Sequence, residues 1–124
     1  MRSKIVLSLL VILLTACLPT QMPTDSGIEG RVTIGPTCPV MQINNPCPDK
    51  PYQATLTVLT GSSHLRVIQF QTDANGYFRV ALSPGEYVLH PESPNIMPHA
   101  GDQNFTVLPH EYAQVNISFD SGIR

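Results

Sequence analysis

Cysteine is the residue with the most distinctive chemistry in this sequence, and Cys17 stands directly after a short apolar run. Arg2 and Lys4 precede that run, which covers residues 5–14. A bilayer-spanning helix needs about 20 apolar residues, whereas a cationic start followed by about 7 to 15 apolar residues is typical of a signal peptide. We therefore predict that residues 1–16 are a signal peptide and that the protein is exported.

The four residues Leu14-Thr15-Ala16-Cys17 resemble the lipobox of bacterial lipoproteins. The resemblance implies a diacylglyceryl group on the Cys17 thiol, cleavage between Ala16 and Cys17, and acylation of the new amino terminus, for instance by palmitate. Two or more acyl chains make a membrane attachment stable, whereas a single chain holds only marginally. Two alternatives stay open: a secreted protein cleaved without lipid, and a buried helix followed by a chance cysteine.

The segment after Cys17 has the composition of a linker. Residues 18–26 (LPTQMPTDS) contain two prolines and two threonines and show no apolar periodicity. Such a segment buries too little apolar surface to offset the entropy of ordering. We expect residues 17–26 to be the lipidated cysteine and a flexible tether, which stretches at most about 30 Å.

The other two cysteines, Cys38 and Cys47, form an even pair in a chain predicted to be exported. Export favours a disulfide between them. In the chain-entropy account, closing this loop stabilises the fold by about 2.7 kcal/mol, less any strain. A metal site is the alternative, although zinc usually takes four ligands and no histidine lies near these two.

Histidine and methionine are the remaining residue types with metal chemistry. His90, Met97 and His99 share one region, and such ligands suit copper in an exported protein. Their spacing matches no established ligand pattern, so they are weak candidates and we expect no cofactor. We also predict that the protein is not an enzyme, because no nucleophile and base stand in a recognisable motif. Met41 lies elsewhere in the sequence. The other residues considered and expected to be solvated are His64, His110, Glu92, Asp102 and Glu111.

Charge excludes one class of partner. Without residues 1–16, five Lys or Arg remain against nine Asp or Glu, a net charge of −4. A nucleic-acid-binding protein normally carries a basic stripe, and this sequence has none. The acidic balance also argues that a lipid, and not the surface of the domain, provides the membrane attachment.

Apolar and polar residues alternate with a period of two along most of the sequence after Ser26. This period is typical of strands with one buried face, and frequent prolines exclude long helices. We predict one all-β domain over residues 27–124, a seven-stranded antiparallel β-sandwich. The seven runs are residues 28–34, 54–58, 65–72, 78–82, 87–89, 105–107 and 115–119.

Turn residues separate these runs. Asn75-Gly76, in the segment 73–76, is a strong hairpin signal, and Pro84-Gly85, in the segment 83–86, predicts a second reversal. Residues 61–64 predict a further hairpin turn. Two proline-rich loops, residues 35–51 and 91–103, are long, and loops of that length are typically functional or loosely ordered.

Residues 72–78 (TDANGYF) and 82–89 (LSPGEYVL) resemble the carboxypeptidase regulatory-like domain, a transthyretin-like or prealbumin-like (Ig-like) β-sandwich. The resemblance implies that the first segment joins neighbouring strands as a hairpin, with Phe78 in the core and Tyr87 packed beside it. Residues 30–32 look like the first strand of that family. The sequence departs from the family at residues 35–51, where the family has a short turn. The whole chain resembles a group of uncharacterised bacterial lipoproteins.

These patterns lead to one functional expectation and one alternative. We expect a non-catalytic, extracytoplasmic module, held to the bacterial cell membrane through Cys17, that binds a protein or glycan or supports the envelope structurally. Its recognition surface is predicted to be the two proline-rich loops, because loops on a rigid scaffold usually carry recognition. The alternative is a carrier of a small molecule or of copper or zinc that uses His90, Met97 and His99.

Overall fold

The computed structural model describes residues 25–38 and 47–123. The predicted signal peptide, Cys17 with residues 18–24, and Met41 lie outside these described residues. All regular elements of the described part are strands, which confirms the all-β prediction, and no helix there is long and apolar enough to cross a bilayer. The strands are β1 (Gly27–Gly35), β2 (Lys50–Pro51), β3 (Thr55–Thr60), β4 (Arg66–Gln71), β5 (Tyr77–Ala81), β6 (Gly85–Pro91), β7 (Gln103–Val107), β8 (Tyr112–Gln114) and β9 (Ile117–Asp120).

The first of two sheets is built around β1. Strands β5 and β2 pair with one edge of β1 in antiparallel direction, while β8 and β9 pair with its other edge in parallel direction. The second sheet is antiparallel throughout, in the order β4-β3-β6-β7. β1 is therefore the only strand of the described first sheet with partners on both sides. Strands from the late part of the chain, β8 and β9, pair with this first strand.

The core fills the space between the two sheets in a sandwich-like arrangement. Alternation along the strands turns one apolar face of each sheet inward, as a half-buried sheet requires. The ring of Phe70 on β4 lies 5.5 Å from that of Phe78 on β5, which joins the edges of the two sheets. The fully buried apolar side chains are Ile28, Val32, Ile117 and Phe119 of the first sheet, Leu56, Val58, Leu89 and Val107 of the second, and Leu82 between them.

The prediction of seven antiparallel strands is wrong in number and in direction, because the described residues form nine strands and two of them pair with β1 in parallel. β2 has two residues and β8 has three, too few to show a period of two. The parallel pairs join residues far apart in the chain, for example Gly27 with Tyr112 and Val32 with Ile117. Only the packed fold brings such residues together.

The turn at residues 73–76 forms as expected but connects the two sheets, so the predicted hairpin between sheet neighbours is wrong. β4 pairs with β3, and β5 pairs with β1. The Asp73 Oδ1 atom accepts hydrogen bonds from the amides of Asn75 and Tyr77, at 2.9 and 2.8 Å. Gly76 has φ +75°, and a Cβ there would lie 2.1 Å from the Val32 carbonyl oxygen, so only glycine fits.

The second reversal, at residues 83–86, also crosses from one sheet to the other. Phe78 is 4 % exposed, which confirms its predicted place in the core. Tyr87 packs against the core cluster that includes Phe78 and stacks on Phe105, with ring centroids 5.5 Å apart, and its hydroxyl donates to the Ser83 carbonyl at 2.6 Å. The third predicted turn, residues 61–64, does join a hairpin, between β3 and β4.

β1 defines two ends of the molecule, which differ in construction. The end where β1 begins, here called the tether end, consists of Ser26 and the connections 61–65, 82–84 and 108–111. Backbone bonds hold it together: the amide of Leu82 donates to Ser26, that of Gly27 to Glu111, and that of Gly61 to Glu86. The opposite end, here called the loop end, consists of residues 36–38, 47–49, 92–102 and 120–122. Nine strand residues separate the two ends by about 30 Å.

An aromatic and cationic stack covers the tether end of the first sheet. A Cβ on Gly27 would lie 2.9 Å from the Tyr112 ring, so this glycine leaves the room that the ring occupies. The Arg79 guanidinium lies 3.8 Å from the centroid of the same ring and 3.4 Å from Glu29. A side-chain hydrogen bond with Tyr112 raises the pKa of Arg79, so the guanidinium stays cationic.

Candidate functional site

Both proline-rich loops meet the same short segment of the chain, residues 120–122. From the first loop, the carbonyl of Gly35 accepts a hydrogen bond from the Ser121 amide at 3.0 Å. The carbonyl of Pro36 accepts one from the Ser121 hydroxyl at 2.6 Å. This seryl residue therefore fixes the start of the first loop through its backbone and its side chain together.

The second loop contacts the other side of that segment. His99 and Asp120 form an antiparallel bridge, with N···O distances of 3.0 and 2.7 Å. A Cβ on Gly122 would lie 3.0 Å from Cγ of Met97, so the methionine side chain lies against this glycine. The segment 120–122 is thus flanked by both loops, and the two predicted recognition elements form one surface.

The second loop is anchored at its base but presents apolar side chains at its tip. The amide of Glu92 donates to the Thr55 carbonyl at 2.9 Å, and the Thr57 hydroxyl donates to the Glu92 carboxylate at 2.7 Å. Ile96 is 89 % exposed and Met97 40 %. Singly exposed apolar residues are common on protein surfaces, so these exposures alone assign no role to the loop tip.

The first loop is closed by the disulfide between Cys38 and Cys47, as predicted, with Cα atoms 6.0 Å apart. Their sulfur atoms are bonded to each other and do not serve as metal ligands here. Thr37 links the two sides of the loop, because its hydroxyl lies 2.7 Å from the Cys47 sulfur and donates to the Pro48 carbonyl at 3.2 Å. The disulfide therefore holds the base of this loop beside Ser121.

The three weak metal candidates, His90, Met97 and His99, line one cleft of about 830 Å³ beside the second loop. Two carboxylates line it as well, and one of them is within hydrogen-bond distance of the His90 ring. Nδ1 lies 2.6 Å from Asp102, and Nε2 lies 3.8 Å from Glu92. Among residues 25–38 and 47–123, no three His, Cys, Asp or Glu side chains are arranged to hold a metal ion.

The pair His90–Asp102 has the geometry of the base and acid of a hydrolytic triad, but the third position differs. Ser93 follows His90 by three residues, but its Oγ contacts the carbonyl oxygens of Asn95 and Pro98. Nε2 of His90 faces Glu92 instead of a hydroxyl. The His90–Asp102 contact therefore joins the two ends of the second loop, because His90 lies near the end of β6 and Asp102 directly precedes β7.

The remaining candidates lie away from this surface, at the tether end. His64 occupies the 61–65 turn with φ +54°. His110 contacts the carboxylate of Asp25, where the described chain begins, and Glu111 accepts the Gly27 amide through its carbonyl. Cys17 and Ala16 lie outside the described residues. The structure thus brings His90, Met97, His99, Glu92 and Asp102 together and leaves His64, His110 and Glu111 about one strand length away.

Sequence reasoning missed the residues that unite the loops. Ser121 and Gly122 lie in a short polar stretch at the end of the chain, and only their contacts with residues 35–36 and Met97 give them a role. The partners of His90 were considered only as solvated acids. The sequence did contain a signal for Asp102. It stands near one end of the predicted loop 91–103, and His90 stands at the other end, so a contact between them could have been expected.

Comparison with known proteins adds little to this geometry. No protein-family model matches the chain, and no curated protein matches it in sequence. Among solved structures, the Bacillus anthracis TIE protein is similar with a TM-score of 0.48 and 15% sequence identity. The match covers 77% of this chain and 17% of that chain, so this chain spans a small part of the other protein's length.

Proposed function

We propose that this chain is a lipid-anchored, extracytoplasmic, non-catalytic module whose loop end binds a partner protein. One observation carries the proposal: both proline-rich loops flank the segment 120–122 at the end of the molecule opposite to the tether. Anchored loops on a rigid sandwich are the usual site of recognition. A surface that points away from an anchored terminus is also accessible to partners.

The anchor is part of the same proposal. Arg2, Lys4, the apolar run 5–14 and the lipobox-like residues 14–17 support a lipid on Cys17 of the exported chain. The disulfide between Cys38 and Cys47 agrees with an oxidising compartment. The resemblance of residues 72–89 supports a carboxypeptidase regulatory-like, transthyretin-like domain used as a scaffold without a catalytic site.

The chemistry of the loop end favours a protein over a glycan as the partner. Three large apolar side chains are exposed there: Ile96 and Met97 on the second loop, and Ile123, which is 38 % exposed and follows the flanked segment. Apolar and sulfur-containing side chains fit a protein interface, in which such residues form the buried centre. We expect Ile96 to occupy a pocket of the partner.

The test is capture of partners by crosslinking in intact cells that produce the full chain. Ile96→Asp and Met97→Asp should each abolish capture, because both would place a charge in an apolar contact. Val67→Asp is the matched control, since Val67 is also exposed but lies within β4, outside the loop end, and it should retain capture. If both loop-end variants capture the same partners as the native chain, the binding surface is wrong.

The anchor is tested separately by mass spectrometry of the chain purified from membranes. We expect an amino terminus at Cys17 whose mass includes diacylglyceryl and acyl groups. Cys17→Ser should leave the protein without lipid. An intact terminus at Met1 in the native chain would refute the anchor and leave the loop surface to be judged by the crosslinking result.

A carrier of copper or zinc is the second candidate, favoured by the shared cleft of His90, Met97 and His99. The test is metal content of the purified full chain after equilibration with each ion. A carrier would retain one ion per chain and lose it on His99→Ala. Because no three His, Cys, Asp or Glu side chains of the described residues are arranged to hold an ion, we expect no retention of either metal.

A further inference from the structure

We propose that the tether end docks on the lipid bilayer itself, with Leu65 and Leu108 entering the interface between headgroups and acyl chains. The proposal depends on the lipid anchor at Cys17 put forward above. It assigns the tether end a role that the anchor alone does not require, because an anchored domain is able to stay clear of the surface.

The two leucines are the most exposed apolar residues of the tether end. Leu65 is 64 % exposed and Leu108 52 %. Leu65 closes the turn between β3 and β4, and Leu108 directly follows β7. Since β3 and β6 lie between β4 and β7, three strand spacings separate the two leucines by about 14 Å.

Both leucines are held in fixed positions. The amide of Leu65 donates to the Thr60 hydroxyl at 2.9 Å, and its carbonyl accepts the Thr60 amide at 2.9 Å. The same turn is joined to β6, because the Gly61 amide donates to the Glu86 carbonyl at 2.9 Å. Leu108 continues β7, whose last residue pairs with Gly85. An apolar residue on an ordered turn enters a bilayer interface with little further loss of conformational freedom.

The length of the tether and the point where it meets the domain set the orientation. Eight residues of chain lead from Cys17 to Asp25, a reach of at most about 28 Å. Asp25 contacts His110, two residues after Leu108, so the tether meets the domain beside this leucine. To bring the loop end to the bilayer instead, the tether would have to run fully extended along the whole length of β1, about 30 Å.

The charges of the tether end favour an apolar contact over an electrostatic one. Arg66 and His64 lie beside Leu65, whereas Glu86 lies at the start of β6 and Glu111 on the connection 108–111, and Asp25 contacts His110. Cationic and acidic groups are thus mixed. Anionic lipid therefore offers no particular advantage, and the contact should form on zwitterionic vesicles and persist at high salt.

The absence of tryptophan from the sequence makes a direct test possible. The lipidated full chain, carrying Leu65→Trp, Leu108→Trp or Ile96→Trp, is reconstituted into phosphatidylcholine vesicles with or without bromine-labelled acyl chains. Bromine quenches tryptophan that lies in the interface. We expect loss of emission and a blue shift for Leu65→Trp and Leu108→Trp, and neither change for the control Ile96→Trp. All three positions are exposed, and a denaturation curve for each variant checks that it is folded.

Four results would overturn the proposal. Chains that float with the vesicles but show no quenching at positions 65 and 108 would refute docking and leave the anchor intact. Stronger quenching at position 96 than at 65 would refute the orientation. A blue shift that grows with protein concentration, without quenching by the brominated lipid, would show that a second copy of the chain covers these leucines instead of the bilayer. A native chain that does not float, tested beside Cys17→Ser, would refute the anchor and the docking together.

Discussion

The two ends of the molecule use the same kind of bond over very different distances in sequence. At the tether end, the Tyr87 hydroxyl donates to a carbonyl four residues earlier, at Ser83. At the loop end, the Ser121 hydroxyl donates to Pro36, 85 residues away, at the same distance of 2.6 Å. Backbone bonds between distant residues hold the tether end as well, for example from the Gly27 amide to Glu111, but the tyrosyl bond acts within one turn. The seryl bond instead belongs to a short segment, residues 120–122, that both proline-rich loops contact.

The largest expected effect in this comparison comes from Phe119→Ala. Phe119 is 1 % exposed, packs against Tyr52 with ring centroids 4.9 Å apart, and directly precedes the segment that both loops contact. Truncating a buried phenylalanine typically lowers the free energy of unfolding by about 3–5 kcal/mol. Denaturant unfolding measures the loss. Leu108→Ala, at an exposed position, should change it by less than about 0.5 kcal/mol, and equal effects of the two changes would contradict the burial described here.

Reduction of the disulfide ranks next. Opening the bond between Cys38 and Cys47 should lower the free energy of unfolding by about 2.7 kcal/mol, less any relief of strain. Unfolding curves with and without a reductant measure this. The double variant Cys38→Ser with Cys47→Ser is the control, because it should start lower and no longer respond to the reductant. If the free energy of unfolding of the native chain were the same with and without the reductant, the bond would not stabilise the loop end.

A matched pair of hydroxyl deletions tests the contrast directly. Ser121→Ala and Tyr87→Phe each remove one donor to a backbone carbonyl, and each should cost about 1 kcal/mol. Their effects on amide hydrogen exchange should differ in extent. Ser121→Ala should speed exchange at His99 as well as near Gly35, whereas Tyr87→Phe should act only around residues 83–87. Changes confined to Ser121 itself would mean that the two loops are not coupled.

The smallest expected effects concern one histidine at each end. His90 contacts Asp102 at the loop end, and His110 contacts Asp25 at the tether end. Both side chains are substantially exposed, so His90→Gln and His110→Gln should each change the free energy of unfolding by no more than about 1 kcal/mol. The measurement is denaturant unfolding at low and high salt. A larger decrease in the free energy of unfolding for His90→Gln would show that the His90–Asp102 contact stabilises the second loop more than an exposed pair usually does.

Local features of the fold were predictable from the sequence, and long-range ones were not. Alternation identified the all-β class, cysteine pairing identified the disulfide, and Asn75-Gly76 located a turn. The turn residues determine backbone geometry over four residues, but they do not determine whether the flanking strands pair. Here β4 and β5 pair with different neighbours, so the same turn joins two sheets.

The candidate site shows the same limit. The two proline-rich loops were recognisable by composition, and His90, Met97 and His99 were recognisable by residue type. That the loops share one surface depends on the parallel pairing of β1 with β9, which sets Gly35 opposite Asp120. No periodicity carries information about a partner strand so distant, and hence the carboxylate neighbours of His90 and the role of Ser121 became visible only in the folded chain.

The long central strand has a mechanical consequence. A partner bound at the loop end would pull along the axis of β1 if the proposed lipid anchor held the tether end. The hydrogen bonds between β1 and its neighbours on both edges would then be loaded in shear. Bonds loaded in this way rupture together, whereas bonds peeled from one end break in turn. We expect single-molecule pulling through residues 17 and 96 to require more force than pulling through residues 65 and 108. With the proposed anchor and partner in place, the nine residues of β1 would carry the tension between them.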